Sequence, residues 1–231
     1  MKYRHLFFDL DHTLWDYVSN ARLTMQDIYR EHGLEKRGVQ DFDLFYTSYT
    51  THNDKLWERF RNGEIKGADL RWKRMHHTLM DFRVGDEALA RLLGDEFTEK
   101  LPNYNHLFPD TISTLDYLNL KGYQLHLITN GFELTQQSKL KRSGIDKFFI
   151  EVITSESCNS VKPQKEIFDY ALMKAKALPG NSIMIGDSVE VDIAGAKNAG
   201  IDQVFMNHTN IVCAIVPTYT VRSMKELQTI F

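Results

Sequence analysis

Apolar positions fall into three regimes along the chain. Near the start, Leu6, Phe7 and Phe8 form an unbroken run, the pattern of a strand covered on both faces. Two carboxylates, Asp9 and Asp11, follow where that strand should end. From Ser19 to Pro102 the apolar residues recur at spacings of three and four. Phe42, Phe45, Tyr49, His52, Leu56 and Phe60 make one stripe, Trp72, Met75, Leu79 and Phe82 a second, and Leu89, Leu93 and Phe97 a third. These stripes predict amphipathic helices, parted at Asn62-Gly63 and Gly85-Asp86, with no strand among them. Beyond Pro109 the patterns alternate. Helices are predicted over 111–120, 133–142, 165–177, 189–199 and 224–231, and strands over 124–129, 148–154, 182–186, 203–206 and 219–221.

Alternating strands and helices with short links imply an α/β fold: a Rossmann-like parallel sheet with helices on both faces. The first strand precedes the helical block, so that block is an insertion. The expected division is a core of residues 1–16 and 107–231 around an inserted α-helical domain of residues 17–106. A length of 231 residues suits a core domain carrying one insertion.

Composition narrows the function classes. The chain is 42% hydrophobic and 26% charged, with a formal net charge of −3, which gives no reason to expect a nucleic-acid polymer as partner. No run approaches a membrane span, and the first residues reach charge at once with no apolar leader. Cys158 and Cys213 have no metal or redox spacing and read as free thiols in a reducing compartment. A cytoplasmic protein is the expectation. Asn207-His208-Thr209 matches a glycosylation sequon, which has no role in that setting.

The chemistry lies where the strands end, the usual place for ligands in open α/β folds. Asp9 and Asp11 are two residues apart and point the same way in strand geometry. Such a like-charged pair calls for a bound cation, a shared proton, or a division of labour between nucleophile and acid. Thr129 and Asn130 follow the second strand, Ser155 and Glu156 the third, with Lys162 in the next loop, and Asp187 and Ser188 the fourth. Asp9 and Asp187 can supply oxygen ligands to Mg²⁺, which prefers octahedral oxygen and shares substrate phosphate. The Thr129 hydroxyl can donate to a phosphoryl oxygen, and Asn130 and Gly131 can add backbone donors. Lys162 is a point charge suited to a phosphate and to the Asp9 carboxylate.

Four segments, FFDLDHTLWD at 7–16, LITNG at 127–131, VKP at 161–163 and IGDSVEVDIAGAKNAG at 185–200, resemble the motifs of the haloacid dehalogenase superfamily, in its order and over the α/β core. The resemblance implies that Asp9 is the nucleophile and forms an aspartyl-phosphate. It implies that Asp11 is the general acid/base and lends its backbone carbonyl to Mg²⁺. Thr129 and Lys162 would hold the phosphoryl group, Asp187 would complete the metal site with Asp9 and Asp11, and Asp192 would orient Lys162 or metal waters from outside the ligand shell. The dehalogenases of the superfamily lack an acid at the position of Asp11, because their leaving group needs no proton. Asp11 therefore argues for a phosphate monoester substrate.

The helical insertion resembles the superfamily's α-helical cap, which selects substrate. Within it, HNDKLW at 52–57 and NGEI at 62–65 are similar to the cap signature of house-cleaning 5′-nucleotidases, which act on pyrimidine nucleoside monophosphates. Asn53 offers a donor and an acceptor for a base edge or ribose hydroxyl. Trp57, one turn on, offers a stacking ring, although it also borders the apolar stripe of its helix. Arg74 reads as a surface arginine and is the third candidate for substrate selection, as a phosphate or sugar contact. The expected partner is thus a small phosphate monoester, a nucleotide before others, handled by a monomer or weak homodimer. A sugar-phosphate phosphatase or phosphomutase is the enzyme alternative. A phosphoacceptor receiver module shares the aspartate, threonine, lysine and acidic Mg²⁺ site, but it has neither the acid at Asp11 nor a helical insertion.

Overall fold

The computed structural model describes residues 2–212 and 215–231; Cys213 lies outside them. The chain divides into two compact units, Met1–Tyr17 with Asn105–Phe231, and Val18–Tyr104. The junctions fall one residue after and two residues before the positions read from the sequence pattern.

The first unit is built on a six-stranded, wholly parallel sheet. The strands are β1 (His5–Phe8), β2 (Gln124–Thr129), β3 (Phe149–Thr154), β4 (Ser182–Gly186), β5 (Asp202–Met206) and β6 (Tyr219–Val221), in the spatial order β3-β2-β1-β4-β5-β6. All four residues of β1 are buried, as a central strand covered on both faces requires. Phe7, Ile128, Ile153 and Met184 join Ile167, Phe168 and Ala171 in one apolar cluster. The chain order reverses on either side of β1, which makes a switch point at the carboxyl ends of β1 and β4. There Asp9 extends the ladder by donating its N–H to the Ile185 carbonyl at 2.9 Å.

The insertion leaves and returns at neighbouring points of this unit. The Asp16 N–H donates to the His106 carbonyl and the Phe108 N–H to the Leu14 carbonyl, each at 3.0 Å. Between them lie helices α1 (Tyr17–Glu31), α2 (Phe42–Arg61), α3 (Gly67–Asp81) and α4 (Glu87–Lys100). Asp41 and Asp86 cap α2 and α4 by accepting the N–H of Leu44 at 3.0 Å and of Leu89 at 2.9 Å, satisfying donors the helices leave open. In the second unit α3 packs on both α2 and α4, burying Phe45, Tyr49, Leu70, Met75, Leu79, Leu93 and Phe97.

The remaining helices cover the sheet: α5 (Thr111–Leu120), α6 (Glu133–Ser143), α7 (Ser155–Cys158), α8 (Lys165–Ala175), α9 (Gly195–Asn198) and α10 (Leu227–Ile230). Three differ from the periodicity. The four-residue α7 is too short to show a period and is set by Thr154, whose side chain accepts the Ser157 N–H. The stretch expected as one helix over 189–199 begins as a π-helix, Val189–Ala194, a widened turn often found at functional sites. The closing helix starts as a 3₁₀ turn at Met224–Glu226. Among the described residues no helix is long and apolar enough to cross a membrane.

Candidate active site

Four strand ends deliver the polar residues. Asp9 leaves β1, Thr129 ends β2, Lys162 lies in the loop between α7 and α8, and Asp187 follows β4. The Lys162 ammonium donates to Asp9 Oδ1 at 2.6 Å and to Asp192 Oδ1 at 2.7 Å, and the lysine is 1% exposed. Asp192 is fully buried, and its other oxygen accepts the Ser188 N–H at 3.1 Å. Its close approach depends on Gly186, where an added Cβ would stand 2.4 Å from the Asp192 Cγ. Asp187 accepts the Thr13 hydroxyl at 3.0 Å.

Electrostatics make this cluster hungry for positive charge. Asp9, Asp187 and Asp192 each bring a carboxylate oxygen within 4.8 Å of the others. Three carboxylates against the one ammonium of Lys162 leave two negative charges. Burial pushes the Asp9 carboxyl well above the usual carboxylate range, with Lys162 opposing and Asp192 and Asp187 adding to it. Burial, then Asp192, pushes Asp187 up to about 7. Burial works against the Lys162 ammonium, but Asp192 and Asp9 outweigh it and hold that lysine above its ordinary value. The donor set fits a magnesium ion: hard carboxylate oxygens and a charge deficit of two. Both Asp192 oxygens are engaged by Lys162 and Ser188, so Asp9 and Asp187 are the side chains with oxygen to offer. A second acidic group, Glu31, His32 and Glu96, already holds the Lys100 ammonium against Glu31 and Glu96.

Asp11 is turned to different partners. Its Oδ1 accepts from the Lys139 ammonium at 2.7 Å and its Oδ2 from Gln136 Nε2 at 2.9 Å. Burial raises its pKa, but Lys139, with help from Gln136, outweighs that and holds the carboxyl below the usual range. Gln136 also donates to Thr129 Oγ1 at 2.7 Å, and the Gly131 N–H does so at 3.1 Å. Both lone pairs of that hydroxyl are thereby filled, and its proton is left to donate. Thr129 is thus set up as a hydrogen-bond donor to an incoming oxygen.

Three of the candidate side chains are held by partners within the protein. The Asn130 side chain pairs with the Lys162 backbone: its Oδ1 accepts the Lys162 N–H at 2.7 Å and its Nδ2 donates to the Lys162 carbonyl at 2.9 Å. It fixes the lysine loop, and only its backbone N–H remains for an anion. Asn53 is buried, with its Oδ1 accepting from Arg74 at 3.2 Å and its Nδ2 donating to Asp54 at 3.3 Å. Arg74 is no surface arginine. It is 3% exposed and lies over the rings of Phe97 at 4.8 Å and Tyr49 at 5.9 Å. Both groups are engaged inside the helical unit. Trp57 is half-buried, edge-on to Phe60 with ring centroids 5.6 Å apart.

Gln136 and Lys139 were missed in the sequence, although a signal existed. The inward face of α6 carries Thr135, Gln136, Lys139 and Leu140. Two long polar residues at core-facing positions of a helix ask for buried partners.

A parallel sheet thus carries these carboxylates, the threonine and the lysine together at its switch point. The chain belongs to the haloacid dehalogenase-like hydrolases, whose family model matches residues 3–200. The chain is 31% identical to the pyrimidine 5′-nucleotidase YjjG of Escherichia coli, over 99% of this chain and 97% of that one. It is 29% identical to the human N-acylneuraminate-9-phosphatase, over 97% and 92%. The crystal structure of the HAD-hydrolase YfnB from Bacillus subtilis bound to magnesium superposes with a TM-score of 0.90 at 28% identity, covering 100% of this chain and 99% of that one.

Proposed function

We propose that the protein is a Mg²⁺-dependent phosphomonoesterase acting through an aspartyl-phosphate, with nucleoside 5′-monophosphates as its substrate class. The observation that carries the reading is the convergence of Asp9, Lys162, Asp187 and the donor-set Thr129 on one strand-end cluster. Asp9 attacks phosphorus, and the bond from phosphorus to the ester oxygen breaks. That oxygen takes a proton from Asp11, which carries it against the pull of the Lys139 ammonium, and leaves as an alcohol. Water then attacks the phosphorus of the aspartyl-phosphate, gives a proton to the Asp11 carboxylate, and restores Asp9 with release of phosphate. Lys162 and Thr129 meet the charge on the transferring phosphoryl oxygens. Asp9, Asp187 and the Asp11 backbone carbonyl would hold the Mg²⁺, which supplies charge neutralisation during transfer. Asp192 orients Lys162.

The nucleotide assignment rests on the HNDKLW and NGEI segments of the helical unit and on the likeness to a pyrimidine 5′-nucleotidase. The likeness to a sugar-acid phosphatase favours a second reading, a sugar-phosphate phosphatase with the same core. A panel of pyrimidine and purine 5′-monophosphates, hexose phosphates, a 9-phosphorylated sugar acid and 4-nitrophenyl phosphate separates them. Nucleotides should exceed hexose phosphates in kcat/KM by about tenfold or more, the equivalent of 1.4 kcal/mol of differential binding in the transition state. Better turnover of sugar phosphates would replace the nucleotidase reading with the second one.

A further inference from the structure

The Asp11 carboxylate is gripped at both oxygens by one helix. Lys139 and Gln136 sit three residues apart on α6, so they present side chains from the same face, and each takes one oxygen of Asp11. Neither grip is incidental. Lys139 is 2% exposed, and burying an ammonium costs several kcal/mol before its partner is counted. Its charge lies 4.4 Å from the ring centre of Trp15 and 5.5 Å from that of Tyr17, so aromatic faces replace part of the lost hydration. Gln136 is fully buried and spends its two N–H groups on Asp11 and Thr129. The amide has one workable orientation, because the flip would turn its oxygen against the Asp11 carboxylate. Gly131 gives it room: a Cβ there would stand 2.4 Å from the Gln136 amide.

We propose that Lys139 and Gln136 are positioning residues that lock the Asp11 carboxylate in a fixed relation to the phosphate-binding hydroxyl of Thr129, so that the proton-transfer group and the phosphoryl site move as one body. The proposal rests on the reading of Asp11 as the acid for the leaving oxygen. Neither residue touches substrate in it. Lys139 removes the rotational freedom of Asp11, and Gln136 ties that carboxylate to Thr129. A proton donor displaced by about 1 Å costs on the order of a hundredfold in rate, and the cost falls on leaving groups that need the proton.

The test uses the Mg²⁺-loaded enzyme with Lys139→Met, Lys139→Arg and Gln136→Met, each also in an Asp11→Asn background. kcat/KM is measured for uridine 5′-monophosphate, whose alkoxide needs a proton, and for 4-nitrophenyl phosphate, whose phenolate does not. Gln136→Met, which frees the carboxylate without removing a charge, should lower the ratio of the first to the second by about ten- to a hundredfold; Lys139→Met, which also removes the cation that opposes protonation of Asp11, should lower it by less. Lys139→Arg, which keeps the charge, should recover most of that ratio. In the Asp11→Asn background the same changes should leave the ratio where Asp11→Asn put it. Equal losses on both esters, or an undiminished effect without Asp11, would overturn the positioning role and reduce the pair to fold stabilisation. A wild-type enzyme that hydrolyses neither ester would instead remove the phosphatase reading, and the proposal with it.

Discussion

Replacing Gly186 with alanine puts the arrangement of Lys162 to a steric test. Gly186 ends β4 and is not among the residues with positive φ, so alanine is compatible with its backbone. The new methyl would stand 2.4 Å from the Asp192 Cγ and Oδ2 and 2.6 Å from its Cβ. Carbon contacts settle near 3.5 Å, so the carboxylate must retreat by about 1 Å. It cannot rotate aside without loosening the 3.1 Å bond from the Ser188 N–H. A retreat of that size strains the 2.7 Å bond from Lys162, and a contact lengthened beyond about 3.5 Å is no longer a hydrogen bond. Lys162 then keeps Asp9 alone and loses its aim at the phosphoryl position. The expected loss in kcat/KM for 4-nitrophenyl phosphate is on the order of a hundredfold. Crowding should cost about 1–3 kcal/mol in stability, read as a lower Tm. A Gly186→Ala enzyme as active and as stable as wild type would show that Asp192 yields without disturbing Lys162, and the orienting role would fail.

Chelation should abolish turnover and Mg²⁺ should restore it, while Ca²⁺, with its larger and looser oxygen shell, should inhibit. Mg²⁺ at a hundred times its Kd should also add about 2.7 kcal/mol of stability, an increment that Asp187→Asn removes; a Tm indifferent to Mg²⁺ would contradict the site. Arg74→Ala strands the buried Asn53 oxygen and opens a cavity, so it should destabilise the protein by on the order of 2–4 kcal/mol. Arg74→Met, which keeps the volume, should leave nucleotide KM unchanged; a raised KM at unchanged Tm would return Arg74 to substrate contact. His126 is buried against Phe7 and shares a 3.2 Å contact with His5, and burial, then the nearby His5, lowers its pKa to about 4. The folded protein therefore keeps it neutral while the unfolded chain takes up a proton below pH 6.5. Its contribution should be lost as pH falls from about 6.5 to 4, at up to about 1.4 kcal/mol per pH unit. Asp187, raised to about 7, acts with the opposite sign, so the measurement is the difference in denaturant stability between wild type and His126→Phe across that window. Parallel curves would refute it.

The core was legible because its signals are local. The apolar runs of β1 and β4 mark strands covered on both faces, and the carboxylates placed directly after them must lie at their carboxyl ends. The parallel sheet follows from alternation alone, and the order of its strands puts Asp9 beside Asp187. What was not legible depends on three-dimensional partners. Gln136 and Lys139 are ordinary helix residues until α6 is docked and Asp11 meets them. The Asn130 amide pairs with the Lys162 backbone 32 positions on, a partner no local pattern shows. Asn53 and Arg74 sit 21 positions apart on different helices, so no spacing rule joins them. The π-turn at Val189–Ala194 has no periodic signature in six residues, and it exists together with the Asp192 carboxylate that folds back under Gly186.

The nucleophilic role of Asp9 is tested most directly by trapping the acyl phosphate. The Mg²⁺-loaded enzyme is mixed with excess substrate, quenched in acid during turnover and treated with borohydride, which reduces an aspartyl-phosphate to homoserine. Peptide mass spectrometry then reads positions 9 and 11 separately. Homoserine should be found at Asp9, dependent on substrate and on Mg²⁺, and absent from Asp9→Asn. Turnover with no reduction at Asp9, or with reduction at Asp11 instead, would contradict covalent catalysis by the carboxylate that Lys162 holds.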